Sequence, residues 1–414
     1  MKGALIKTMT ALVLAVETMF FAVGCGTNEN SQSNVITSES ESESESNYMA
    51  LINEFGGEEV DAISESFRNY LNAATDEEAA AALVFNTGFD MVQEFNIAWE
   101  SDGSYEYTVF LADNKELNNA ETFVVTRKTK YNFGGSLIPG KEYYYKVVGE
   151  TRETKVDSFR LKENDVRPIT VDGAHNIRDL GGWKIDGGNI AYGLIYRGGR
   201  LNSGESCALS EEGLKTMRDT LGIKTEIDLR FVFADDGGQN KSVLGDDVNY
   251  VKAGFHGYNY ILPEFNNFGA NKRSYYKPSA ESIKTIFSAL ADKSNYPVYF
   301  HCNAGADRTG TLAFLIEAVL GASEADMIKD FELTSFSTYG ARYRGEIENG
   351  RFINGIMQDD SGNFVAFGYF LERMKAVYGG EGESLNQAVV NYLKTVCGVT
   401  DEEISAIRSI LTNP

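Results

Sequence analysis

The sequence predicts an α/β domain with a helical C-terminal cap, preceded by a small all-β sandwich, and three observations predict it. A buried-strand pattern, Pro297-Val298-Tyr299-Phe300, runs through a short loop of small residues into an apolar helical stretch, Leu312 to Leu320. Between about Leu83 and Leu161 apolar residues recur at every second position, the period of half-buried strands. Beyond the loop they recur at helical spacing almost to the end of the chain.

The chain has 414 residues, enough for two or more domains with sizeable cores. Its formal net charge of −22 argues against nucleic-acid binding and against docking on anionic lipid through a basic face. Residues 1–25 resemble a bacterial lipoprotein signal. Lys2 and Lys7 give a positive start, Ala11 to Val23 is largely apolar, and Ala22-Val23-Gly24-Cys25 ends the run with small residues before a cysteine. That resemblance implies lipidation of Cys25 and an extracytoplasmic protein held at the cell membrane by its lipid alone. Glu17 interrupts the apolar run, so a plain secretory signal or an N-terminal membrane anchor stays open.

Residues 26–47 carry the alternation Ser38-Glu39 to Glu45-Ser46, which has nothing apolar to bury and repels itself, so a disordered tether is expected. Over residues 48–82, the spacing of Leu51, Phe55, Ile63 and Phe67 predicts one or two helices. Residues 83–163 then alternate: Phe95, Ile97 and Trp99; Tyr105, Tyr107, Val109 and Leu111; Tyr143, Tyr145 and Val147. Turns at Asp102-Gly103, Asp113-Asn114 and Pro139-Gly140 split these strands, as in a sandwich. The run Leu137 to Val147 resembles the approach to the sixth strand of a fibronectin type III domain, with Tyr143 placed for a tyrosine corner.

Residues 168–414 mix the two periods. A helical stretch, Glu211 to Leu221, passes through Gly222 into the strand-like Thr225 to Leu229, and Ile283, Ile286, Phe287 and Leu290 form a helix face before Pro297. Met327, Phe331, Leu333 and Phe336 mark one helix of the cap, and Phe367, Phe370, Leu371, Met374 and Val377 a second. Leu385 to Val396 and Asp401 to Leu411 follow, with Thr400 and Glu403 spaced as a capping box.

The loop at 301–310, His-Cys-Asn-Ala-Gly-Ala-Asp-Arg-Thr-Gly, sets Cys302 and Arg308 around a turn of small residues ahead of a helix. Backbone N–H groups of Asn303, Ala304, Gly305, Ala306, Asp307 and Arg308 in such a loop converge near the helix N-terminus and suit a phosphate dianion. The same field favours a thiolate at Cys302 able to attack phosphorus. Arg308 supplies a planar fork for two phosphoryl oxygens, and Thr309 a hydroxyl for the sulfur as it leaves. The structural alternative is that Cys302 is a small buried hydrophobe. His301 reads as a support for the loop. His175, His256 and His301 are the only histidines, too scattered to form a metal cluster. Of Cys207, Cys302 and Cys397, the last falls at helical spacing with Val389 and Leu393 and reads as core.

Four motifs in order resemble the bacterial tyrosine-phosphatase family that includes secreted mycobacterial and listerial dual-specificity and lipid phosphatases. They are His175-Asn176-Ile177-Arg178-Asp179-Leu180-Gly181-Gly182, Tyr196-Arg197-Gly198-Gly199-Arg200-Leu201, Ile227-Asp228-Leu229-Arg230 and the loop itself. The resemblance covers about Ile169 to the C-terminus. It implies a cysteine-dependent phosphatase fold, a phosphocysteine intermediate at Cys302, phosphate clamping by Arg308, and no metal or other cofactor. The implied substrate is a phosphorylated protein or a small phosphate ester, with phosphoinositides or inositol phosphates, or phospho-ligand binding without turnover, as alternatives. The resemblance associates the proton donor with Asp307; Asp235 and Asp236, from a loop, are the other candidates. Arg178, Arg197, Arg200 and Arg230 either touch substrate or pair with Asp179 and Asp228 as framework. Ala306 stands where the family usually has a lysine, which disfavours polyphosphorylated substrates.

Overall fold

The computed structural model describes residues 48–412 except 54–58, 85–90, 94, 134–136, 164–165, 203–207, 232–239, 266–274, 338–341, 343–344, 349–350 and 355–361. The signal with Cys25, the Ser/Glu run, Phe55, Cys207, Asp235 and Asp236 lie outside the described residues. Contacts divide the chain into Met1–Ser46 and Asn47–Pro414, and every described residue belongs to the second unit.

Its first part is a seven-stranded sheet of β1 (Tyr48–Met49), β2 (Glu59–Val60), β4 (Glu106–Ala112), β5 (Glu121–Thr126), β7 (Glu142–Val148), β8 (Glu153–Thr154) and β9 (Asp157–Leu161). A two-stranded sheet, β3 (Asn96–Ala98) with β6 (Lys130–Asn132), accompanies it. The alternation in sequence sets the inner face: Tyr107, Val109 and Leu111 of β4 and Tyr143, Tyr145 and Val147 of β7 are buried with Ile97, Trp99 and Phe159 in one cluster. The Tyr143 hydroxyl accepts the Ile138 N–H at 2.8 Å.

Residues 48–82 depart from the helical pattern at their start. Tyr48–Met49 pairs in parallel with Glu153–Thr154, Glu59–Val60 with Arg160–Leu161, and Leu51 bridges Trp99, so the sheet recruits residues well upstream of 83. Among the described residues helices come only at α1 (Glu65–Asn72) and α2 (Asp76–Val84), and Phe67, Tyr70, Leu71, Ala79 and Leu83 join the core of the C-terminal part. Phe67 meets Phe336 edge-on at 5.0 Å, and the Tyr70 hydroxyl donates to Glu332 Oε2 at 2.6 Å.

That C-terminal part is built on β10 (Arg167–Pro168), β11 (Arg178–Asp179), β14 (Ile195–Gly198), β15 (Thr225–Asp228), β16 (Asn249–Lys252) and β17 (Val298–His301), in the order β10-β11-β14-β17-β15-β16. The hairpin of β12 (Lys184–Ile185) and β13 (Gly188–Asn189) stands beside it. β17 lies parallel to both β14 and β15 at the centre of the sheet, and all its residues are buried, which explains its unbroken apolar run.

Helices α3 (Glu211–Lys215), α4 (Tyr276–Leu290), α5 (Asp307–Leu320), α6 (Glu324–Glu332), α7 (Gly362–Tyr378), α8 (Leu385–Tyr392) and α9 (Asp401–Leu411) complete the unit, with a hairpin of β18 (Gly345–Glu348) and β19 (Arg351–Asn354) before α7. α5 is buried from Thr309 to Leu320 and ends at Gly321 in the left-handed region, φ 93°. The capping box of Thr400 and Glu403 closes the start of α9. Cys397 is buried, and burial pushes its thiol up to about 12 against the Tyr392 hydrogen bond, as befits a core residue.

Candidate active site

The loop between β17 and α5 is held from outside, carbonyl by carbonyl. The His301 carbonyl accepts the Leu229 N–H at 2.9 Å, and the Cys302 carbonyl oxygen lies 3.1 Å from His301 Nδ1. The Asn303 carbonyl accepts the Arg200 N–H at 3.0 Å, and Ala304 accepts from Asn176 Nδ2 at 3.1 Å. Gly305 accepts from an Arg197 guanidinium nitrogen at 2.9 Å. In a planar trans peptide the N–H points opposite its C=O, so outward carbonyls at 302–305 turn the N–H groups of 303–306 to the inside. α5 begins right behind them at Asp307 and adds the positive end of its dipole. The result is a nest of backbone N–H groups, an arrangement that suits an anion.

Glycine permits the close approach that closes this nest. Gly305 sits at φ +70°, and a Cβ there would stand 2.4 Å from the Gly198 carbonyl carbon. The Gly199 N–H is in turn held by the His175 carbonyl at 2.9 Å. The motifs at 175–182 and 196–201 thus form the back of the loop.

Cys302 is nearly fully buried, and Thr309 and Ala306 are wholly so. Thr309 Oγ1 makes no hydrogen bond to any described protein group. Arg308 is partly buried, with a guanidinium nitrogen 3.4 Å from the Leu229 carbonyl. His301 Nε2 lies 2.9 Å from Glu226 Oε1, whose other oxygen accepts the Ser242 hydroxyl. The two ring nitrogens of His301 thus face a carbonyl on one side and a carboxylate on the other.

Three of the motif arginines, Arg178, Arg197 and Arg230, pair with buried carboxylates, and for two of them the partner is not the acid nearest in sequence. Arg178 donates to Asp330 Oδ1 at 2.9 Å and to Asn176 Oδ1 at 2.7 Å, and Arg197 pairs with the other oxygen of Asp330. Asp179 instead pairs with Arg167 at 3.0 Å. Arg230 does fork onto Asp228, at 2.8 and 2.7 Å, where Lys252 and the Tyr250 hydroxyl also arrive. Burial opposes ionisation of Asp228, yet Arg230 and the charge of His301 hold its carboxyl well below the usual range. Burial and the neighbouring Arg178 lower Arg197 to about 10, against the pull of Asp330 and Cys302.

Asp307 is bound on both oxygens. Oδ1 accepts from Arg342 Nε at 2.9 Å and from the Tyr258 hydroxyl, and Oδ2 from a second Arg342 nitrogen at 3.3 Å. Burial and the Asp307 charge push the Tyr258 phenol well above its ordinary value. Beside Arg308 stands a group of rings: His256 lies 4.7 Å from Phe231, 4.5 Å from Tyr275 and 5.9 Å from Tyr260. Burial and the Arg308 charge lower the His256 imidazole below its usual value.

Glu226, Asp330, Arg342, Tyr258 and His256 are thus at the site without having been selected by spacing. Glu226 left one trace, an acid facing a buried position between Thr225 and Ile227. Asp330 left another, beside Phe331 on a helix face that packs inward. The sequence pattern of the tyrosine phosphatase family matches residues 169–413. A tyrosine-protein phosphatase from Nostoc commune is 26% identical over 227 residues, covering 51% of this chain and 70% of its own length. Among solved structures, the core catalytic domain of the PP-IP phosphatase SIW14 from S. cerevisiae is 12% identical, covering 45% of this chain and 90% of that one at a TM-score of 0.24. A backbone nest for an anion lies inside a sequence match that spans more than half of the protein, and the chain belongs to the tyrosine phosphatase family.

Proposed function

We propose that this protein hydrolyses phosphate monoesters, phosphotyrosine or a related phosphoprotein, through a phosphocysteine intermediate at Cys302. The observation that carries this reading is the outward anchoring of the carbonyls of 302–305, which aims the next N–H groups into the loop around the cysteine. In the first step the thiolate attacks phosphorus and the P–O bond to the leaving group breaks. Arg308 and the nest take up the charge on the equatorial oxygens. In the second step water attacks the thiophosphate, and Thr309 Oγ1 donates to the departing sulfur. No cofactor enters either step.

Ala306 leaves the nest without a second side-chain cation beside Arg308, and the chain as a whole is strongly acidic. Both features favour a single phosphoryl group over a polyphosphorylated inositol. We read the motifs as those of the secreted mycobacterial and listerial type, preceded by a fibronectin-like module and anchored through Cys25.

The test is phosphate release from an aryl phosphate by the purified protein, with Cys302→Ser and Arg308→Ala beside it and with inositol hexakisphosphate as a second substrate. Turnover that both substitutions abolish, and a preference for the aryl phosphate, support the reading. Wild-type rates in Cys302→Ser would overturn it. Tight phosphotyrosine-peptide binding without turnover would make the protein a binding module instead.

A further inference from the structure

We propose that His256 is a catalytic residue of this site, the group that gives a proton to the leaving oxygen and takes one from the water that hydrolyses the phosphocysteine; this rests on the phosphatase reading above. Two sets of contacts set residue 256 beside the first turn of α5, one through its chain neighbours and one through its ring. On one side, a Cβ at the adjacent Gly257 would stand 3.4 Å from the Asp307 carbonyl and 3.2 Å from Thr311 Oγ1, and the Tyr258 N–H donates to that same Oγ1 at 3.1 Å. Residues 256–258 therefore run along the first turn of α5. On the other side, Arg308 reaches the Leu229 carbonyl, and Phe231, two residues further on, packs against the His256 ring.

The residue is also held in place. Phe231, Tyr275 and Tyr260 surround the ring, Tyr275 edge-on, and the backbone N–H of His256 donates to the Ser279 hydroxyl at 3.3 Å. It is half-buried, whereas His301 is fully buried against Glu226. The carboxylate nearest the loop arginine in sequence is engaged elsewhere, because both oxygens of Asp307 already accept from Arg342 or Tyr258.

The charged and titratable groups around His256 fit a proton carrier. They are Arg308 from α5, Tyr260 and Tyr275 from the ring cluster, and Asp307 with Tyr258 beyond Gly257. Burial and then the Arg308 charge hold the free imidazole neutral more readily than usual. A phosphoryl dianion on Arg308 offsets that charge, so substrate binding draws a proton onto His256. As sulfur bonds to phosphorus and the ester P–O bond breaks, that proton goes to the leaving oxygen and the imidazole becomes neutral. As water then bonds to phosphorus and P–S breaks, the neutral imidazole takes the water's proton. The thiolate and the imidazolium are restored, and inorganic phosphate leaves.

His256→Phe preserves a ring in the cluster and removes the proton. Across aryl phosphates of graded phenol acidity, followed by an alkyl phosphate, this variant should stay within about tenfold of wild type on the most acidic phenol. It should fall about 100-fold or more on the poorest leaving group, the scale of general acid catalysis. An unchanged leaving-group dependence overturns the proposal, as does a steepened dependence found in Asp307→Asn and not in His256→Phe. Activity surviving in Cys302→Ser would instead sink the parent reading. In the unsubstituted protein, His256 should titrate at higher pH when inorganic phosphate fills the nest, a shift readable by NMR because the chain has only three histidines. A midpoint indifferent to phosphate overturns the proposal without any variant.

Discussion

Arg197 and Gly305, 108 residues apart, are joined by a hydrogen bond of 2.9 Å from the guanidinium to the loop carbonyl. The other arm of Arg197 pairs with Asp330, which Arg178 also grips, and Arg178 reaches Asn176, whose amide holds Ala304. A buried ionic network therefore sets the curvature of the nest. Asp330→Ala leaves two arginines uncompensated in the core. It is expected to cost about 3–5 kcal/mol in urea unfolding and to abolish phosphate release. Burial works against the Asp330 charge, but the two arginines hold its carboxyl below the usual range. Its stabilisation is thus present above the ordinary carboxylate range and lost as pH falls through the lower folded-state value.

Gly305→Ala tests the close crossing of the loop over Gly198. The added Cβ meets backbone rather than a flexible side chain, and the left-handed φ is unfavourable to it. The expected result is a loss of at least about 1–2 kcal/mol together with most of the turnover. Gly187, also at positive φ but with open space around it, is the control: Gly187→Ala should carry only the conformational part of that cost and leave turnover intact.

Glu226→Gln keeps the shape around His301 while removing the carboxylate. The amide can donate to Nε2 and still accept from Ser242, so every hydrogen bond survives with a neutral ring. Phosphate release measured beside urea stability separates charge from shape. Slower release at unaltered stability is the expected result. Unaltered release would assign Glu226 to shape alone.

Glu317, on α5, is buried, and neither of its oxygens has a hydrogen-bond partner among the described residues. Burial, and after it the Asp330 charge, raise its carboxyl well above the usual value. The folded protein keeps it protonated at pH values where the unfolded chain has ionised it, so stability is full below the unfolded value and declines as pH rises toward the folded one. Glu317→Gln removes that dependence. Its gain over wild type should grow above about pH 5, by up to about 1.4 kcal/mol per pH unit, in melts recorded across pH.

What was legible in the sequence was local. β17, the small-residue loop and α5 are contiguous, so one window of residues holds the pattern, and the capping box of α9 spans only four residues. The supports of the loop are remote: His301 finds Glu226 across 75 positions and Arg178 finds Asp330 across 152, and no spacing rule reaches that far. The strands at 48–49 and 59–60 are two residues each, too short to show a period of two, so the longer helical spacing of Leu51, Ile63 and Phe67 prevailed there. The resemblance points to Asp307 as the proton donor, and only the three-dimensional arrangement shows Arg342 and Tyr258 on its carboxylate.

The central claim is a covalent bond between phosphorus and Cys302. Its most direct measurement is rapid acid quenching of the protein during turnover of an aryl phosphate, followed by mass analysis of the peptide that contains Cys302. The account predicts one added phosphoryl group on that cysteine within the first turnover, and none in Cys302→Ser. Steady turnover with an unmodified Cys302 at every quench time, or with the phosphoryl group on another residue, would contradict it.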